Sequence, residues 1–274
     1  MALWSRVREI GLISQFELRR LFASPRGWFA LLAFAIIWYV LLRYPIFAAS
    51  EQLQQPEMQR VLGGVFGMAG MYNLLNWPLP ELTAYWALCV ALLPLFTLFF
   101  SADQTCSDRA RGTLRFLTLR ANRDSLFFGR FFGQMLIQTL LITVSLLATL
   151  LMASWRLGQL PTAGLEAALI MLVNLVIIIA PFTALMALCS VLVKSSRMAI
   201  SLAIVGSGVV IGLLAWAAWY LPVLQPLFGY LPGAQIPQVL AQYGWTTLQY
   251  SGLPLLQTAV FLLIGRQIML GKSL

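Results

Sequence analysis

Six stretches of this chain are apolar for so long that each needs a lipid bilayer, not water, as its solvent. Crossing the hydrocarbon core as a helix takes roughly 20 apolar residues, and residues 27–49, 82–102, 131–153, 165–193, 198–221 and 253–270 meet or approach that length. Hydrophobic residues make up 60% of the 274 and charged ones only 10%, a balance that a water-soluble core cannot hide. The expected fold class is an all-α membrane protein with six transmembrane helices in one domain, residues 1–274. Arg43 interrupts the first run and can snorkel to the interface. The fourth run is longer than a span needs, so a tilt or a kink at Pro181 is expected, with Pro94 a similar point in the second.

Basic residues fix the orientation. If the N-terminus is cytoplasmic, the inner segments carry Arg6, Arg8, Arg19, Arg20, Arg26, the arginines from Arg109 to Arg130, Lys194, Arg197, Arg266 and Lys272. Only Arg43, Arg60 and Arg156 of the 18 lysines and arginines then lie outside. Both termini are therefore expected in the cytoplasm. Residues 1–26 contain Glu9 and Glu17 and read as mature structure, not as a cleavable signal. Outside, the glycine-rich run PEMQRVLGGVFGMAGMYNLLNW reads as an interfacial helix or turn. Residues 222–252 hold no formal charge, which suits a membrane-associated or re-entrant segment shielded by protein. Gly129/Gly133 and Gly208/Gly212 have the spacing that lets helices approach closely.

Much chemistry is missing. The chain has no histidine, and its three cysteines (Cys89, Cys106 and Cys189) are scattered, so neither a metal site nor a disulfide framework is indicated. Near the C-terminus GRQIMLGKSL imitates a phosphate-binding loop, but Gly265 and Gly271 are one residue too far apart and the position that should be glycine is Arg266. Gly271 with Lys272 reads instead as a helix end with a cation near its negative pole. Mid-span polar groups are few. Gln138, Thr139 and Asn174 could hydrogen-bond between helices or line a polar path, and no carboxylate sits at membrane depth to couple ion flow.

The charge is concentrated between residues 105 and 130, where TCSDRARGTLRFLTLRANRDSLFFGR holds six arginines and two aspartates. Orientation alone would account for the arginines, and so would attraction to anionic lipid headgroups. Nucleic-acid binding is a poor fit for so short an arm beside a membrane. The phasing adds something further. Leu114, Phe116 and Leu117 can face the membrane or helix ends while Arg111, Arg115 and Arg120 face outward, Asp108 lies near a helix start, and Gly112-Thr113 offers a tight backbone point. Such a helix could serve as a lever for a soluble partner.

SDRARGTLRFLTLRANRDSLFFGRFFG resembles the signature region of ABC-2 type transporter permeases, in which a pattern like E-R-x-x-GTL, a leucine pair, T-x-P-x-S-R and G-K-x-x-G joins spans two and three. Asp108, Arg109, Gly112, Thr113, Leu114, Arg123, Gly129, Arg130 and Gly133 match in type and spacing. Ala110, Arg115 and Arg120 depart from the pattern. The leader FELRRLFASPRGW is similar to that family's amphipathic N-terminal helix through Glu17, Leu18, Pro25 and Arg26, and the implied helix also carries Arg19 and Arg20.

The resemblance implies a permease, not an enzyme, in the cell membrane (a bacterial inner membrane). It implies a second copy or paralogue as partner, and a cytoplasmic ABC ATPase subunit that holds ATP and Mg. Residues 103–130 would be the coupling loop, with Asp108, Arg109, Arg111, Gly112, Thr113, Leu114, Arg115, Arg120 and Arg123 in docking. The resemblance implies no cofactor on this chain itself and an exported substrate it does not name. A non-transporting scaffold with a mechanical or assembly role is the alternative, and a membrane enzyme or stand-alone carrier stands third for want of catalytic side chains.

Overall fold

A computed structural model describes residues 2–68, 71, 73–159 and 161–271; the side chains of residues 2–5, 26, 59, 66 and 115 lie outside the described set. Among the described residues every regular element is helical. Six helices are long and apolar enough to cross a membrane, and they coincide with the six apolar runs.

The chain begins with α1 (Ala2–Ala23). Ser24 then leaves helical geometry, at φ −110° and ψ 142°, and its hydroxyl accepts the Gly27 N–H at 3.1 Å. Pro25 fills the first position of α2 (Pro25–Leu41), where its missing N–H costs nothing. Pro25 and Arg26 thus open the first span and do not belong to the amphipathic leader. The turn is tight: a Cβ on Gly27 would collide with the Leu21 carbonyl.

Near the far end of this span, Pro45 cannot donate to the preceding turn, and Leu42–Ile46 widen into a π-helix before α3 (Phe47–Leu53). The Phe47 N–H reaches the Leu42 carbonyl, five residues back. The Arg43 guanidinium lies 5.4 Å from the Phe47 ring centroid, a cation–π contact that gives the charge a partner within its own helix.

The loop that follows carries α4 (Pro56–Met68), with Val61, Val65 and Met68 exposed. The second span, α5 (Pro80–Phe100), returns to the terminus-bearing end. Two short helices, α6 (Cys106–Ala110) and α7 (Thr113–Thr118), precede the third span, α8 (Arg123–Leu157). That span starts eight residues earlier than its apolar run suggests. At 35 residues α8 is about 52 Å long, well beyond the hydrocarbon core, so its first turns project from the membrane as a rigid post.

The fourth span, α9 (Thr162–Leu192), is the centre of the bundle and packs on α5, α8, α10 (Ser196–Tyr220) and α12 (Gly252–Gly271). It is apolar on every face because neighbours cover most of it: 67% of its apolar window is buried, against 11% for α10. Both α5 and α9 remain helical through Pro94 and Pro181. One large cluster, built around Tyr85, Trp86, Met171, Leu175 and Ile178, joins α5, α8 and α9.

Between α10 and α12 lie a 3-10 helix (Pro222–Tyr230), α11 (Ile236–Leu240) and a second 3-10 helix (Gly244–Tyr250). Side-chain hydrogen bonds bind this segment to the bundle, among them Trp245 Nε1 donating to Glu166 Oε1 at 3.2 Å. Asn174 Nδ2 donates to Thr247 Oγ1 at 2.8 Å, and Gln257 Nε2 donates to the Tyr230 carbonyl at 2.8 Å. A Cβ on Gly233 would stand 3.5 Å from the Phe182 ring. At the same end Arg156 Nε and Nη2 clasp both oxygens of the buried Glu81, at 2.5 and 3.1 Å, tying α8 to the start of α5.

Candidate functional site

The charged segment folds back onto the bundle. Residues 101–122 form the link between α5 and α8, and its first half is fastened to the end of α9. Thr105 Oγ1 lies 2.9 Å from Ser190 Oγ, Cys106 Sγ donates to the Ser190 carbonyl, and Arg109 Nη1 donates to the carbonyls of Val191 and Val193. A cation beside these last carbonyls is favoured by the negative end of the α9 dipole. Arg123 does the same for α12, donating to Met269 and Leu270. It is therefore Arg123 that the structure places over the C-terminal carbonyls of α12, the role the sequence suggested for Lys272, which lies outside the described residues.

Asp108 and Arg130 form the centre of the site. Both are 7% exposed. Arg130 Nη2 donates to Asp108 Oδ2 and its Nη1 to the Gln104 carbonyl, while Thr113 Oγ1 donates to Asp108 Oδ1 at 3.1 Å. Arg111 adds an ion pair at 3.5 Å from the solvent side. Asp108 lies in the first turn of α6, as expected, and its chief partner is Arg130. Burial pushes the Asp108 carboxyl up, but the Arg130 charge, hydrogen bonds from Arg130 and Thr113, and the Arg111 charge outweigh it and hold the group below the usual carboxylate range.

Gly112, at φ +69°, breaks the segment between α6 and α7, so the expected single lever is two short helices hinged at a left-handed glycine. Leu114 is buried against Leu126, Phe127 and Val191 in the core beneath. Leu117 is half-buried, and Phe116 points the other way, 72% exposed, with Leu119 at 83% and Arg111 and Arg120 also exposed. The expected apolar face therefore divides. Leu114 anchors α7, and Phe116 and Leu119 stand outward beside the basic side chains. The Arg115 side chain lies outside the described residues, as does that of Arg26.

The N-terminal helix forms the opposite wall. Gly129 and Gly133 on α8 admit it closely: a Cβ at Gly129 would sit 2.7 Å from Ile13 Cβ, and one at Gly133 2.9 Å from Glu17 Cβ. Ser14 Oγ donates to the Gly129 carbonyl at 2.9 Å. The small-residue pair thus serves packing within the chain, whereas Gly208 and Gly212 on α10 meet nothing within 4 Å. Glu17 pairs with Arg20 at 3.6 Å, and Arg19 is exposed. Between α1 and α7 opens a cleft of about 580 Å³, with Phe16, Phe116, Arg20, Arg111 and Arg120 among its lining.

From this cleft a chain of hydrogen bonds runs into the membrane. Gln104, whose carbonyl receives Arg130, donates through Nε2 to the Thr183 carbonyl at 3.1 Å. Thr183 Oγ1 donates to Gln138 Oε1 at 3.3 Å, Thr97 Oγ1 to the same oxygen at 3.4 Å, and Gln138 Nε2 to Ser101 Oγ at 2.6 Å. Gln138 is thus a buried junction of α5, α8 and α9. Asn174 lies nine residues before Thr183 on α9, about 13 Å along the axis, and is spent on Thr247 and the Ile170 carbonyl. Thr139 is half-buried. The structure therefore does not bring Gln138, Thr139 and Asn174 onto one polar path.

Gln104 and Thr183 escaped the reading of the sequence. Their only signal there is an uncharged polar residue just past an apolar run and a threonine two residues after Pro181. The 265–271 glycines likewise lie in helix: Gly265 packs on Phe127, whose Cζ would be 2.7 Å from an added Cβ.

Six apolar helices around a buried central span, with a charged platform at the end bearing both termini, define a multi-pass membrane protein. A family model described as ABC-2 family transporter protein matches residues 12–259, nearly the whole chain, and the protein belongs to that family. Comparison with curated proteins gives no match.

Proposed function

We propose that this permease couples ATP hydrolysis by a separate cytoplasmic subunit to export of a substrate, with α6–α7 and the cleft beside α1 receiving that subunit. The continuous chain from Thr113 through Asp108, Arg130, Gln104 and Thr183 to Gln138 carries the reading. A push on α7 is felt at a buried junction of three spans without any covalent lever, because each link is a directional bond between buried or half-buried groups. Exposed Phe116 and Leu119 beside Arg111 and Arg120 supply the apolar anchors and basic rim of a docking surface for an acidic partner. ATP and Mg belong to that partner. The sparsely buried α10, with Gly206, Gly208 and Gly212 open on its surface, is where a second permease would pack. The arginine bias puts the platform in the cytoplasm.

The test is the pair Arg111→Glu and Arg120→Glu, made together and reconstituted with the ATPase subunit. Membrane insertion should be unchanged, while co-purification and permease-stimulated hydrolysis fall by at least an order of magnitude. Undiminished stimulation would remove the docking assignment.

A further inference from the structure

The segment between α10 and α12 reaches down among the helices and does not merely cap them. Gly265 on α12 faces α9, where an added Cβ would stand 3.4 Å from the Leu188 Cα. Both helices end at the platform, so they run parallel. Eight residues before this contact on each helix, Gln257 is level with Ala180, past the midpoint of α9. Gln257 Nε2 holds the Tyr230 carbonyl there at 2.8 Å, and the Phe182 ring lies against Gly233. Asn174, nearer the far end of α9, holds Thr247. Irregular backbone at membrane depth persists only where protein shields it or where it lines a water-filled cavity.

The turn at the bottom carries a polar side chain with nothing to bind. Gln235 is 1% exposed, yet among the described residues neither its Oε1 nor its Nε2 has a hydrogen-bond partner. Gln257, 8% exposed, leaves its Oε1 unpartnered as well. A buried amide without partners is unfavourable relative to one that is bonded or hydrated, so Gln235 works against the position its turn occupies. That turn has joints: Gly233 at φ +92° and Gly244 at φ +67° stand in the left-handed region on either side of α11. Packing opposes the amide. Val239 and Leu240 are buried in the main core, and Asn73 Nδ2 donates to the Ala241 carbonyl at 2.8 Å.

We propose that residues 231–244 form a re-entrant plug with two positions, seated in this structure, and that the Gln235 amide favours a raised position in which it is hydrated. Seating depends on α9. Phe182 meets Gly233, while the adjoining Thr183 binds Gln104 and Gln138, so displacement of that turn of α9 alters the floor on which the plug rests. The plug belongs to this chain alone and its equilibrium is read without an ATPase, so failure of the docking reading leaves it untouched.

The experiment uses the full chain, in detergent and in right-side-out membrane vesicles. Gln235→Leu removes the unpartnered amide at similar volume, so thermal unfolding should shift upward by about 2–4 °C. Gln235→Met, unbranched and flexible, should do the same. Accessibility is read at Ala234→Cys with a membrane-impermeant methanethiosulfonate added outside, the native cysteines being buried. Labelling should slow roughly fivefold when Gln235→Leu is added and quicken roughly fivefold with Gln235→Glu, whose carboxylate favours water. Gln238→Leu, at an exposed glutamine of the same segment, should leave the rate unchanged. A lower melting temperature for both apolar variants would overturn the proposal, since the amide would then be satisfied where it lies, as by an internal water. So would labelling that is absent or indifferent to residue 235.

Discussion

Arg130, seven residues into a helix that spans the membrane, reaches sideways to Asp108 on a helix of only five residues, and both side chains are buried by the contact. Two charges withdrawn from water in this way are strongly interdependent, because removal of one leaves the other without compensation. Arg130→Ala should cost about 3 kcal/mol of stability in detergent, measured by thermal unfolding. Asp108→Asn, which keeps an acceptor for Arg130 and Thr113, should cost less.

The same pair sets an acid limit. The Asp108 carboxyl is held below its ordinary value in the fold, so its contribution is complete above the unfolded pKa of about 4. It is lost as pH falls through the depressed folded value. The melting temperature of the wild type should therefore be flat with respect to this group from pH 8 to 5 and decline below pH 4. In Asp108→Asn that part of the decline should disappear, which parallel melts across the range will show.

At Gly112 an added Cβ meets open space, so substitution there probes backbone conformation alone. Alanine in the left-handed region costs about 1 kcal/mol. Gly112→Ala should lower stability by about that amount without a packing defect. If the hinge between α6 and α7 matters for coupling, it should also reduce stimulated ATP hydrolysis more than it reduces subunit binding.

Gly133→Val tests the seat of the N-terminal helix. Its side chain would intrude on Glu17 and the Ser14 backbone, and overpacking of this kind costs about 1–3 kcal/mol. Limited proteolysis should show α1 cleaved faster, with α9 and α12 as resistant as before.

Gln138→Leu removes the junction but keeps the volume close. Hydrogen bonds between membrane helices average roughly 0.6 kcal/mol, so stability should fall by no more than about 2 kcal/mol. Coupling should suffer far more: ATP hydrolysis by the complex should persist while substrate movement in proteoliposomes is lost.

Much of the architecture is legible in the residues, because the length and apolarity of a span are properties of a continuous segment. The six runs needed only counting. The ends of the helices were harder. The start of α8 at Arg123 lies inside a stretch whose arginines read as loop, yet two of those arginines are helix furniture: Arg123 over the carbonyls of α12, and Arg130 on Asp108. Composition cannot distinguish a charge facing water from one facing a carboxylate two helices away. For the same reason Phe116 and Leu114, two residues apart in an apolar series, read as one face although α7 is too short to bury both. The Gln104–Thr183 link joins residues 79 apart, and no local pattern announces it.

The π turn at Leu42–Ile46 inserts one residue into an otherwise continuous helix. Before it, Phe34, Trp38 and Leu41 face the bundle; after it, Ile46, Ser50 and Leu53 do, one position later than an uninterrupted α-helix would place them. The first span is thus two helical segments in different registers, spliced at Pro45. Deleting Pro45 would let the helix close into uniform α geometry with Ile46 still facing inward. Deleting any residue between Phe34 and Trp38 would instead rotate one half of the span about 100° against the other. The residue that looks most disruptive in this span is therefore the one whose loss the fold should tolerate best.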